Sequence, residues 1–357
     1  MYLSFLKASN FRCFANIELE FDQKYNLVYG ENGSGKTSVL EAISYLGRGR
    51  SFRTNNVSEI VKWKTDDLLV YGKIISANSE SSIGIMNGKS GLESSVNGDH
   101  TKGIAGLAHS LPFQIIDPNT HNLIGGGPEA RRQYLDWILF HVEPEYIDIW
   151  RKYKKTLKQR NVLLKSHKNK SEIQNWDQGL AQLGEKISLM RDEIFILLEP
   201  VLMEFASELL DTNISLHINR GWSRDLALLD SLSDNINQDI QYKSTQLGPH
   251  RADIRVSLDM GAAKKHISRG QQKLLACALI NASIELVQSY IDKPILLLLD
   301  DPKAELDNNS TKKLVNQVCS LNSQVIATSI EPDESLFGSG TKLFHVEQIN
   351  KKNQLNQ

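Results

Sequence analysis

Gly30-Glu31-Asn32-Gly33-Ser34-Gly35-Lys36-Thr37 stands between a five-residue β-type run, Tyr25 to Tyr29, and a helical run, Thr37 to Leu46. The octapeptide fits the pattern G-x-x-x-x-G-K-[ST]. Its glycines let backbone N–H groups close around phosphates, its lysine reaches the β/γ oxygens, and its threonine hydroxyl ligates Mg²⁺. A strand before and a helix after are the context this loop requires. The residues Gly30 to Thr37 are therefore read as an ATP phosphate loop rather than a Gly-rich turn.

A second segment completes the phosphate side. Ile295 to Leu299 are five aliphatic residues bounded by Pro294 and by Asp300-Asp301. Such a run reads as a buried parallel strand with its acidic end at the carboxyl edge of the sheet, where nucleotides bind. Asp300 is placed to hold Mg²⁺, directly or through water, and Asp301 to orient the attacking water, with Lys36 as the third catalytic candidate. The alternative is a strand that simply ends in an acidic turn.

Ser268-Arg269-Gly270-Gln271-Gln272 opens a long helical run, Gln272 to Ile291, and resembles the signature sequence of ABC-type ATPases. That resemblance implies that Ser268, Gly270 and Gln271 touch the γ-phosphate held by the opposite subunit, a role that a helix N-terminus suits. An ordinary N-capping serine is the competing reading. Glu305-Leu306-Asp307 looks like the D-loop, the order of parts is that of an ABC-type head, and the resemblance implies head-to-head dimerisation around two ATP molecules.

The match narrows with Asn10 to Phe14, Leu111 to Gln114, Gly126-Gly127-Pro128 with Arg131-Arg132, Leu135-Asp136-Trp137, Phe140 to Pro144 and Gly248 to Arg251. Together with the ATP motifs these resemble the RecF family, bacterial DNA-repair ATPases of the SMC-like group, from about residue 2 to residue 330. The resemblance implies an α/β fold, a P-loop ABC/SMC-like ATPase head with an inserted α-helical arm domain. It also implies ATP-driven homodimerisation, DNA binding, slow DNA-stimulated ATP hydrolysis, and work with RecR and RecO to place RecA on gapped DNA. By the same resemblance Gln114 is the Q-loop residue, contributing to the metal and γ-phosphate, and Arg12 approaches the adenine end. For each a plain structural role stands beside the functional one, a solvated glutamine and a brace of the first hairpin.

Two departures bear on the mechanism. The acidic pair ends in aspartate where most ABC ATPases carry glutamate, and the shorter carboxylate reaches less far towards a water. No histidine follows the strand Gln324 to Thr328, where a transporter ATPase has its switch residue, and Thr328 is the nearest candidate. Pro302-Lys303 before the D-loop is a further irregularity. A transporter subunit and an ATP-binding scaffold without hydrolysis are the rival readings.

Composition is compatible with this reading without requiring it. The 357 residues are 40% hydrophobic and carry a formal net charge of −1, so any DNA contact has to come from local patches. Cys13, Cys277 and Cys319 form neither a disulfide framework nor a metal spacing, which fits a reducing cytoplasm. No leader is expected at the amino end and no apolar run of membrane-spanning length.

The expected organisation is an N-terminal head part over residues 1–108, a helical arm over 109–229, and a C-terminal head part over 230–357. Leu3 to Ala8 and Ile17 to Phe21 read as a first hairpin, and residues 68–75 and 81–86 as strands. The polar segment Ser90 to Gly103 reads as a loop. The strand Ile254-Val256-Leu258 is expected to return to the head, and Asn350 to Gln357 to be a frayed end.

Inside the arm, Trp176, Leu180, Leu183, Ile187, Met190, Ile194, Leu197 and Val201 alternate at spacings of four and three, a coiled-coil-like stripe. It reads equally as a projecting SMC-type stub or as a core helical hairpin turning at Ser166 to Ser171. On the helix before it, Arg151, Lys152, Lys154, Lys155, Lys158, Arg160, Lys165, Lys168 and Lys170 occur with no acidic residue among them. That density is the footprint of phosphate-backbone binding, with Arg151, Lys152, Lys154, Lys155 and Lys158 as the DNA candidates; a solvated face is the alternative.

Overall fold

In a computed structural model, residues 1–347 are described apart from positions 78, 90, 102, 167–168, 211–213 and 259–260, and apart from the side chains at 265 and 334. The expected frayed end lies outside the described residues. The chain forms two compact units, Met1–Thr120 with Asp292–Gln357, and His121–Ile291.

The first unit is built from two sheets, a buried helix and two further helices, Ala105–Ser110 and Asn308–Ser320. Its antiparallel sheet runs Phe14–Glu20, Tyr2–Phe11, Asp67–Ser76, Ser79–Gly88, Gly91–Val96, Asp99–His100 in spatial order. The segment expected as a loop after residue 90 thus contributes two further strands. The parallel sheet runs Lys342–His345, Tyr25–Tyr29, Gln324–Ser329, Leu296–Leu299, Phe113–Ile116. All four residues of Leu296–Leu299 are buried, as a strand covered on both faces requires. Helix Lys36–Arg48 touches both sheets and is buried continuously from Ser38 to Gly47. Its Val39, Leu40, Ile43 and Leu46 join one core with Leu3, Leu6, Phe11 and Phe14 of the hairpin and Leu298 and Ile326 of the parallel sheet.

The second unit is helical with a small sheet. Its strand Asp253–Leu258 pairs with Ile214–Asn219 and Gly261–Ala262, so it does not return to the head sheet as expected. The expected arm limits, 109–229, differ from the observed unit at both ends. Phe113–Ile116 is a four-residue strand that pairs with Leu296–Leu299, and helix Arg269–Ile291 packs along helix Asp177–Leu209. Helix Arg269–Ile291 also has the length and apolarity of a membrane span, contrary to expectation, but most of it is buried inside the fold.

Helix Asp177–Leu209 is about 50 Å long at 1.5 Å per residue. Its buried positions include Leu180, Gly184, Ile187, Arg191, Ile194, Leu198, Leu202 and Phe205, whose mean spacing is close to 3.6, while Leu197 of the expected stripe is 42% exposed. The helix also contains Pro200, which removes a backbone N–H and bends an α-helix, unlike a regular coiled-coil strand. It packs against Tyr146–Lys165, Pro128–Val142 and Leu228–Asp234, which favours the core hairpin over the projecting stub.

Buried polar groups tie this unit together. His250 Nε2 donates to the Thr245 carbonyl at 3.0 Å, which leaves Nδ1 to accept from the Tyr153 hydroxyl at 2.7 Å. Burial, set against the Thr245 bond and reinforced by Arg251, Arg132 and Lys154, lowers the His250 pKa to about 4. A base whose folded pKa lies below its unfolded value binds its proton more readily when unfolded, so stability is full above about pH 6.5 and is lost as pH falls towards 4. The loss across that window should be on the order of 3 kcal/mol. Urea unfolding from pH 7 to pH 4 should show it, and His250→Gln should flatten the dependence; a variant with the unchanged pH slope would refute the assignment.

Candidate nucleotide site

The phosphate loop starts where strand Tyr25–Tyr29 ends. Gly30, Gly33 and Gly35 all have positive φ. Gly35, at φ 107°, is doubly constrained, because an added Cβ would lie 2.7 Å from Cys13 Sγ and 2.8 Å from Phe14 Cζ. The loop therefore rests on the turn of the first hairpin, a contact that the scattered-cysteine reading gave no hint of. Asn32, Gly33, Lys36 and Thr37 line a cleft of about 1010 Å³. Lys36 Nζ donates to the carbonyls of Gly30 and Glu31 at 2.7 and 2.8 Å, and the Ser34 N–H donates to Glu31 O at 3.2 Å.

The acidic strand meets the loop across 263 residues of sequence. The Thr37 hydroxyl donates to Asp300 Oδ1 at 2.9 Å, and the Thr328 hydroxyl donates to the same oxygen at 2.9 Å. Thr328 in turn accepts from the Asp301 N–H at 2.9 Å, so it braces the acidic pair. Asp301 lines the cleft and holds φ 48°, a left-handed conformation uncommon outside glycine. Burial pushes the Asp300 carboxyl above the ordinary carboxylate range, the two hydroxyl bonds oppose the shift, and Asp117 and Asp301 add to it.

Arg12 lines the same cleft, anchored by a group that was not singled out in the sequence. Its Nε donates to Glu41 Oε2 at 2.8 Å and its Nη2 to Oε1 at 2.5 Å. Glu41 lies on the phosphate-loop helix, fully buried, and also accepts from the Ser51 hydroxyl, with Arg53 Nη1 3.7 Å away. A charged residue within an apolar helical run is the signal that could have found it, since a buried carboxylate needs a paired cation.

The strand register sets the Gln114 backbone back from this group. In the strand register it lies beside Leu297, three residues short of Asp300, and it is 8% exposed within the sheet. At about 3.3 Å per residue it is set back by roughly 10 Å along the strand. Asp117 and Pro118 reach the edge instead: Pro118 lines the cleft, and Asp117 acts on Asp300 while accepting from the Thr120 hydroxyl at 3.0 Å.

In the second unit, Ser268 and Gln271 cap their helix reciprocally. The Gln271 N–H donates to Ser268 Oγ at 3.3 Å, and the Ser268 N–H donates to Gln271 Oε1 at 3.0 Å. The capping reading is therefore realised, and because it uses the hydroxyl as acceptor, the Ser268 O–H proton stays available for a ligand. Gly270 follows in the first turn of helix Arg269–Ile291.

The basic helix Tyr146–Lys165 exposes Arg151, Lys152, Lys154, Lys155 and Lys158. At 100° per residue Arg151, Lys154, Lys155, Lys158 and Lys165 share one side. Arg160 falls about 180° from Arg151 and leaves the basic face. It is fully buried, donating to Asp177 at 2.7 Å, Asp239 at 2.6 Å and Thr245 at 2.8 Å. Lys168 lies outside the described residues.

Comparison with known proteins places these parts in a family. Residues 2–354 match the model of the RecF/RecN/SMC N terminal domain. The chain is 37% identical to the DNA replication and repair protein RecF of Shewanella pealeana over 356 residues, 98% of each chain, and 37% identical to that of Shewanella denitrificans, again over 98% of each. A solved structure of the recombination mediator protein RecF with ATP, in the RecFOR pathway, superposes with a TM-score of 0.85 at 29% identity over 93% of each chain. An Smc head bound to the C-winged helix domain of ScpA shares the fold at a TM-score of 0.58 and 15% identity, over 94% of this chain and 91% of that one.

Proposed function

The chain belongs to the RecF family, and on that premise we propose that it is an ATP-driven DNA-binding protein of recombinational repair and replication restart, a cytoplasmic homodimer acting with RecR, RecO and RecA. The observation that carries the reading is the meeting of the Thr37 hydroxyl with Asp300 Oδ1 at 2.9 Å, which joins the phosphate loop to the acidic strand. Asp300 is a buried carboxyl group set among hydroxyls and further acids, a donor set that fits Mg²⁺. Thr37 and Asp300 would hold that ion, which when bound neutralises charge on the phosphates.

Lys36 now satisfies its ammonium on two loop carbonyls, and phosphate oxygens would take over those bonds. Asp301 orients the water that attacks the γ-phosphate, its backbone fixed by Thr328. Ser268, Gly270 and Gln271 offer a hydroxyl and helix-start N–H groups to the γ-phosphate of a second copy. Gln114 enters this scheme as a sheet residue behind the site, and Arg12 as a cation at the cleft wall held by Glu41.

DNA binding rests on the exposed stripe Arg151, Lys154, Lys155, Lys158 with Lys152 beside it, a surface for backbone phosphates without base reading. The test is affinity for gapped duplex DNA with and without ATP at several salt concentrations. Replacing Lys154, Lys155 and Lys158 with glutamine should flatten the slope of log affinity against log salt by up to about 0.9 for each DNA phosphate that the variant no longer neutralises. The effect should be equal for different DNA sequences, with ATP binding retained. An unchanged slope would mean a solvated face. DNA affinity indifferent to ATP in the unmodified protein would sink the ATP-driven reading.

A further inference from the structure

Trp63 is the most exposed large apolar side chain among the described residues, at 84%. Its exposure does not come from a loose loop. It sits in a tight turn, Lys62 to Thr65, in which the Thr65 N–H and hydroxyl both donate to the Lys62 carbonyl at 3.1 and 2.8 Å and Lys64 takes φ 69°. That turn is tied to the first hairpin. The Lys62 N–H donates to Asn10 O at 2.8 Å, the Arg12 N–H to Ile60 O at 2.7 Å, and Val61 bridges Phe11. These bonds fix the backbone that carries the indole, so an unburied apolar surface stands on an ordered turn, which lessens the ordering that a ligand would have to impose.

The turn lines the cleft of the phosphate loop. Trp63 shares that 1010 Å³ space with Lys36, Thr37 and Asp300. The volume is at the upper end of the range of about 300–1,000 Å³ for small-molecule sites. Phosphates held by the loop account for only part of it, and the rest of a nucleotide has to occupy the remainder of the cleft. Among the described residues lining it, Trp63 is the only aromatic ring; the other apolar side chains there, such as Val57, Val61 and Ile330, have no π face.

We propose that Trp63 stacks on the purine base of the nucleotide whose phosphates the loop Gly30 to Thr37 holds. The inference rests on the ATP reading of that loop and adds the group that holds the other end of the molecule. Base–aromatic stacking is lost on truncation to alanine, and the expected effect is an ATP affinity about tenfold weaker in Trp63→Ala. Trp63→Phe, which keeps a ring, should recover most of it.

Inorganic tripolyphosphate separates the two claims, because it carries the phosphates without a base. Titration of the full-length protein should show tripolyphosphate affinity equal in the unmodified protein and in Trp63→Ala, which also reports that the variant is folded, while ATP affinity falls. Tryptophan fluorescence should be quenched by ATP in the unmodified protein and not in Trp63→Phe. Equal ATP affinity in Trp63→Ala, or an equal loss of ATP and tripolyphosphate, overturns the stacking assignment with the phosphate site intact. Failure of the unmodified protein to bind either probe overturns the phosphate-loop reading and the stacking assignment with it.

Discussion

Lys36→Ala is expected to bind ATP about ten- to a hundredfold more weakly, since a hydrogen bond to a charged group contributes about 1.5–3 kcal/mol, and to lose turnover by at least the same factor. The fold should survive. The lysine's bonds go to Gly30 and Glu31 carbonyls at the cleft, where water replaces them, so melting should move by little more than a surface substitution does. Calorimetric titration with ATP, beside a melting curve, checks both halves. A folded Lys36→Ala protein that hydrolyses ATP at the unmodified rate removes the phosphate loop from the mechanism.

Asp301→Asn should separate binding from chemistry. The side chain keeps its shape, and the backbone N–H that donates to Thr328 is unaffected, so the acidic strand should hold its place. What disappears is the carboxylate that orients and polarises the water, worth roughly 10²–10⁴-fold in rate. ATP should still bind and the ATP-bound dimer should persist, visible as sustained light scattering where the unmodified protein relaxes. Normal turnover by this variant would assign the role elsewhere on the cleft.

Most of the candidate nucleotide site is legible in the sequence because its chemistry is local. A phosphate loop is one contiguous octapeptide, and an acidic pair after an aliphatic strand is visible without knowing any partner. Gln114 was less legible for a corresponding reason. Its functional meaning depends on strand register, and only pairing with Leu297 reveals that it is set back from the edge where Asp117 and Pro118 stand. Adjacency in sequence groups Arg160 with the lysines, whereas helical phase puts it on the opposite side, among Asp177 and Asp239. The unit boundary after residue 120 was hidden because Phe113–Ile116 is only four residues long within helical surroundings. Glu41 and Trp63 belong to no motif, and each acquires meaning only from what the fold brings near it.

The order of the parallel sheet has a consequence for synthesis. The strand that carries the phosphate loop, Tyr25–Tyr29, has as neighbours Gln324–Ser329 and Lys342–His345, both from the last tenth or so of the chain, and Phe113–Ile116 waits for Leu296–Leu299. A growing polypeptide therefore carries an unpaired phosphate-loop strand until residues 324–329 have been made, at roughly 5–20 residues per second a delay of tens of seconds. The Thr37–Asp300–Thr328 contact closes only when residue 328 has left the ribosome, so this corner of the candidate site is assembled late in synthesis.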